Sequence, residues 1–168
     1  MKKLLIVDGY NLIYATDRYN KWRDSDLELA RVKLIEDLAT LKALRGYEVV
    51  LVFDAAKTNA RGRANTRILG IDVWFTRAGE TADSMIERMA AQLTFEGDVI
   101  VATSDYSQQK VIFRNGVLRK SSRELVAEFE STARDIEEKT TKRARFQLEE
   151  RIDGAIRRAL EQIVMGDD

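Results

Sequence analysis

Four aspartates carry most of the chemistry this sequence can offer. Asp8 follows the apolar run Leu4-Leu5-Ile6-Val7, Asp54 follows Glu48–Phe53, and Asp105 comes just after Asp98–Thr103 and Ser104. The fourth, Asp83, lies in Gly79-Glu80-Thr81-Ala82-Asp83, at the opening of a helix. Carboxylates gathered at one place repel and raise each other's pKa unless a cation neutralises them. A donor set of oxygens alone suits Mg²⁺ or Mn²⁺. Such an ion activates water and stabilises charge on a phosphate in transfer. Asp8, Asp54, Asp83 and Asp105 are therefore the candidate metal ligands. Asn11, three residues after Asp8, can hold a carboxylate or its ligand through its amide. The plainer alternatives are that Asp8 caps the next turn and that Asp83 complements a helix dipole. Glu80 and Glu87 are weaker candidates, Glu87 reading best as a solvated helix residue.

Two basic stretches accompany the acids. Residues 56–67 contain Lys57, Arg61, Arg63 and Arg67, and residues 107–123 contain Lys110, Arg114, Arg119, Lys120 and Arg123, with no acid in either. Each follows a strand-end aspartate, so each should border the acidic cleft and contact phosphates. Solvated loops are the bland reading. Together, acids and bases point to metal-dependent phosphodiester hydrolysis.

Composition removes the rival chemistries. The 168 residues include no histidine and no cysteine, which excludes a Ser-His-Asp triad, histidine ligands, thiolate chemistry and disulfides. Lys+Arg and Asp+Glu both number 28, so any basic surface is local. A run of only four apolar residues lies between Lys3 and Asp8, too few for a secretory core, and no run suits a membrane span. A soluble cytoplasmic protein is expected.

The elements that must position these residues follow from periodicity. Leu4–Val7, Glu48–Phe53, Ile71–Thr76 and Asp98–Thr103 read as buried strands. Between the first two, Ser25 and Glu28 have capping-box form, and Leu27, Ala30, Leu34, Leu38 and Leu41 mark a helix that stops at Gly46. Residues 12–24 read as a loop or a ragged helix. Thr81 caps a second helix with Met85, Ile86, Met89, Ala90 and Leu93 on its apolar face, and another helix is expected after Asp105, broken at Gly116. Ser121 and Glu124 form another capping box before 122–165, one long helix or two, with Ile136, Phe146 and Leu148 among the residues available for packing. The βαβ order implies an α/β fold with a mainly parallel sheet, whose strand ends project their loops from one edge. Residues 1–168 form a single domain in this reading, with 122–165 as its helical C-terminal part.

Asp8-Gly-Tyr-Asn11, Phe53-Asp54-Ala55, Thr81-Ala82-Asp83-Ser84 and Ala102-Thr103-Ser104-Asp105-Tyr106 resemble the motifs of the NYN-domain family, relatives of PIN-type nucleases. With Gly79-Glu80, Gln108-Gln109 and Ser122-Arg123-Glu124-Leu125, the pattern is similar to the bacterial YacP-like branch. The resemblance implies a PIN-like three-layer fold and a metal-dependent endoribonuclease that cleaves mRNA in association with the translating ribosome. It also implies that Asp8 and Asp83 are the leading catalytic acids, with Asp105 a further site acid and Asp54 the second strand-end acid. Ala55 stands where glycine is frequent in the family. Two other classes compete: an inert RNA- or ribosome-binding module, and an aspartate-based phosphatase or receiver-like domain. A dehalogenase-like phosphatase would want an acid at Tyr10, and a binder of polyanions gains nothing from a negative cleft.

Overall fold

The structure is a computed structural model that describes residues 2–54, 65–92, 94–104 and 117–165, with residues 150–165 as backbone. The first strand, β1 (Lys2–Asp8), is buried from Leu4 onward. It runs directly into α1 (Gly9–Ala15), a 3₁₀ turn (Asp17–Tyr19) and α2 (Asn20–Arg23). The segment 12–24 is thus a ragged helix, and it is firmly attached. Arg18 donates to both carboxylate oxygens of Asp37 at 2.6 and 2.7 Å, and the Tyr19 hydroxyl donates to the same group at 2.8 Å. Burial pushes the Tyr19 hydroxyl well above its usual range, so it remains a donor.

Helix α3 (Leu27–Arg45) buries Ala30, Leu34, Leu38 and Leu41, the stripe that periodicity indicates. Its cap is Asp26, whose Oδ1 accepts from the Leu29 N–H at 3.2 Å. Ser25 instead donates to the Lys21 and Trp22 carbonyls, closing α2. Gly46, with φ 72°, ends the helix.

The sheet continues with β2 (Tyr47–Phe53), β3 (Asn65–Ile68), β4 (Ile71–Phe75), β5 (Gly97–Ala102) and β6 (Leu118–Lys120). Its six strands lie in the order β3-β4-β2-β1-β5-β6. Among the described residues only the β3–β4 pair is antiparallel. That hairpin turns through Leu69 and Gly70, both at positive φ (50° and 77°), as a two-residue turn matched to strand twist requires. Because β1 lies between β2 and β5, the chain reverses its winding at the end of β1, where open sheets form crevices.

Two apolar layers cover the sheet. On one face Leu5, Val7, Leu51 and Phe53 pack with α1, α3 and the start of the last helix, through Leu125 and Phe129. On the other, Leu4, Ile6, Val52 and Val101 pack under α4 (Ala82–Gln92), through Ala82, Met85 and Ile86. These layers and all six strands belong to one compact unit, Met1–Glu130; a second unit comprises Ser131–Asp168. The last helix, α5 (Ser122–Met165), is a single element. Ile136, Phe146 and Leu148 are exposed on it and do not serve as core. Among the described residues, no helix is long and apolar enough to cross a membrane.

Candidate active site

Asp8 is the last residue of β1 and the cap of α1. Its Oδ1 accepts from the backbone N–H of Asn11 at 3.1 Å, so the capping role is real. It is also buried and lines a cavity of about 520 Å³. Capping fixes the carboxylate at the sheet edge and leaves it as one wall of that cavity. Gly9 serves close packing here: a Cβ at this position would overlap the buried Phe53 ring.

The same cavity is lined by Tyr10, Asn11 and Tyr14 of α1, by Asp54 just past β2, and by Thr81 and Asp83 at the start of α4. Three of the four expected acids therefore line one cavity where the parallel strands end. The Thr81 hydroxyl accepts from the Ser84 N–H at 3.2 Å, the capping contact that sets Asp83 in the first turn. Asp105 lies outside the described residues. Its neighbour Ser104 donates its N–H to the Asn11 side-chain oxygen at 2.9 Å, which ties the end of β5 to α1.

Asn11 works differently from expectation. Its backbone, not its amide, holds Asp8. Its side-chain oxygen accepts from both Ser104 and the Ser122 hydroxyl, the latter at 3.1 Å. Asn11 thereby joins α1 to the end of β5 and to the start of the last helix rather than grasping the carboxylate. Sequence reading also passed over Tyr10 and Tyr14. Their i, i+4 spacing is a usable signal once the helix is taken to start at Gly9, directly after the strand. Arg31 of α3 donates to the Tyr10 hydroxyl at 3.1 Å. Burial raises the Tyr10 pKa, the Arg31 cation opposes it, and the nearby Asp54 charge adds a smaller upward push.

The weaker acids lie elsewhere. Glu80 is paired with Arg88 and accepts from the Arg77 N–H, which holds its carboxyl below the usual range. Neither Glu80 nor Glu87 lines the cavity.

Of the basic residues, Lys57, Arg61, Arg63, Lys110 and Arg114 lie outside the described residues. Arg67 does not stand at the acidic edge. It sits on β3 opposite Asp72, which in turn pairs with Val50 of β2. That is four residues before Asp54, or about 13 Å along a strand. Arg67 instead borders a larger groove of about 860 Å³ with Asp72, Trp74 and Met89. Volume alone does not identify a reactive site, and of the proposed ligands none lines that groove. Arg119 and Arg123 are exposed. Lys120 is half-buried, bonded to Glu128 and to the Tyr47 hydroxyl. Burial disfavours its charge, but those partners outweigh burial and raise its pKa. Its ammonium is engaged within the protein.

The chemistry of the donor set decides whether a metal fits. Among the described residues no three carboxylates stand close enough together to hold a metal ion between them. Mg²⁺ keeps several waters and binds through one or two carboxylates and substrate phosphates. A roomy cavity walled by Asp8, Asp54 and Asp83 fits a hard, partly hydrated cation of that kind.

Comparison with known proteins agrees with this architecture. Residues 5–165 match the model of the YacP-like NYN domain. The chain is 40% identical over 142 residues to the uncharacterized protein YacP of Bacillus subtilis (strain 168), covering 83% of this chain and 82% of that one. A crystal structure of Rae1 (YacP) from Bacillus subtilis superposes with a TM-score of 0.73 at 35% identity, covering 98% of this chain and 95% of the other. A crystal structure of a point mutant of the same Bacillus subtilis protein superposes with a TM-score of 0.72 at 39% identity, covering 86% and 84%. The chain belongs to the YacP-like NYN family, a nuclease-type, RNA-related family, and its fold is the YacP fold.

Proposed function

We propose that this member of the YacP-like NYN family is a metal-dependent endoribonuclease that cleaves mRNA, in association with the translating ribosome. The observation that carries the reading is the meeting of Asp8, Asp54 and Asp83 in one cavity at the carboxyl edge of the sheet. Family membership supplies the RNA-related, nuclease-type context and sets aside the phosphatase and receiver readings.

In this mechanism Asp8, Asp54 and Asp83, with Asp105, would hold Mg²⁺ or Mn²⁺. When bound, the ion supplies an activated water and neutralises charge on the phosphate under attack. Asp8 is kept in place by its bond to the Asn11 backbone, so its orientation is set before substrate arrives. Asn11 keeps the end of β5 against α1, which carries Tyr10 and Tyr14 of the cavity wall. Arg119 and Arg123, with Lys57, Arg61, Arg63, Lys110 and Arg114, bind the RNA backbone. Phosphate contacts of this type position a substrate without reading its bases.

The test is cleavage of a labelled RNA and of ribosome-bound mRNA by the full chain. Mg²⁺ or Mn²⁺ should restore internal cleavage after chelation, and the protein should co-sediment with ribosomes. An inert binder would co-sediment and leave the RNA intact at every metal concentration, which would overturn the nuclease reading.

A further inference from the structure

We propose that Tyr14, backed by Arg23, is a stacking platform for an unpaired RNA base beside the acidic cavity. The proposal rests on the RNA-cleaving reading above and names how the substrate is gripped. Tyr14 shares the cavity with Asp8, Asp54 and Asp83. Tyr14 is 49% exposed, although it is a large residue on a helix whose other face is core.

The ring is also held in place. The Arg23 guanidinium lies over it, 5.5 Å from the centroid, a cation–π contact. Asp24 fixes that guanidinium through a 2.8 Å bond. Tyr10, one turn earlier, leans on Tyr14 with centroids 6.4 Å apart and planes at 47°. Tyr10 is itself locked by Arg31 and packed on Phe53 at 5.0 Å. An aromatic surface ordered in advance loses little entropy when a base stacks on it.

Charge explains why such a foothold is useful here. The carboxylate wall repels phosphates, whereas a ring attracts a base without any charge of its own. Stacking tolerates any sequence, because every base has a π face. It also releases no counterions, so its contribution should persist as salt rises. That distinguishes it from the arginines that contact the backbone.

The experiment uses the full chain carrying Asp83→Asn, to prevent cleavage, and single-stranded RNA nonamers with 2-aminopurine at successive positions. In that background, binding should quench the probe at one or two positions. Adding Tyr14→Ala should abolish the quenching and weaken affinity about five- to a hundredfold. The salt slope should stay unchanged. Tyr14→Phe and Tyr14→Trp should keep both quenching and affinity. Tyr14 is exposed, so the alanine variant should melt as the parent does. Equal affinity and quenching in Tyr14→Ala would overturn the platform alone. A loss that phenylalanine and tryptophan fail to restore would overturn stacking in favour of the hydroxyl. Absence of RNA binding by the Asp83→Asn parent would overturn the platform together with the RNA reading.

Discussion

Asp8 caps a helix and walls the cavity at once, and substitution can separate the two roles. Asparagine caps as well as aspartate does, so Asp8→Asn keeps the bond from the Asn11 N–H and removes only charge. Cleavage by Asp8→Asn and by Asp83→Asn should fall by at least about a hundredfold, with melting temperature held or raised as carboxylate repulsion is relieved. Turnover close to wild type at saturating Mn²⁺ would exclude either residue as an essential ligand. Gly9 makes a different prediction. Gly9→Ala drives a methyl into the buried Phe53 ring and should cost about 1–3 kcal/mol in chemical denaturation, much of it recovered by Phe53→Leu. The strand-end aspartates were legible because buried runs ending in an acid are local patterns. The tie made by Asn11 was not, because its side-chain partners Ser104 and Ser122 lie 93 and 111 residues away.

Among the elements, legibility followed length and burial. The long stripe of α3 and the apolar runs of β1, β2, β4 and β5 were readable within a residue or two. β3 and β6 were not. They have four and three residues, and each carries one apolar side chain among polar or charged ones. Pairing with β4 and β5 makes them strands, and no local preference reports it. The capping box of α5 was readable and is present: the Glu124 carboxylate accepts from the Ser121 N–H at 2.6 Å, and the Ser121 hydroxyl accepts from the Glu124 N–H at 3.2 Å. The Ser121 bonds hold the Glu124 carboxyl below its ordinary value of 4.5. A depressed folded-state pKa means that this contribution is complete above pH 4.5 and is lost as pH falls through the lowered value. Glu124→Gln should therefore remove the pH dependence due to this group below 4.5, measured as melting temperature against pH. An unchanged acid limb would show that the box adds nothing to stability.

Over the whole molecule, charge sums to zero while its distribution is uneven. Acids gather at the carboxyl edge of the sheet, and Arg119 and Arg123 are exposed near the start of α5. Replacing both arginines by alanine should flatten the log–log salt dependence of RNA affinity by about 0.7 for each phosphate they neutralise. Lys120→Ala should leave that slope alone and lower stability instead, because its charge is bonded to Glu128 and Tyr47. Equal slopes in all three proteins would return Arg119 and Arg123 to ordinary solvated charge. The claim on which the rest depends is that the acids form one metal site. Anomalous diffraction from a crystal soaked in Mn²⁺ tests it most directly. The account predicts a manganese peak in the cavity bounded by Asp8, Asp54 and Asp83, absent from Asp83→Asn crystals soaked identically. Manganese only elsewhere on the protein, or an unchanged peak in the variant, would contradict it.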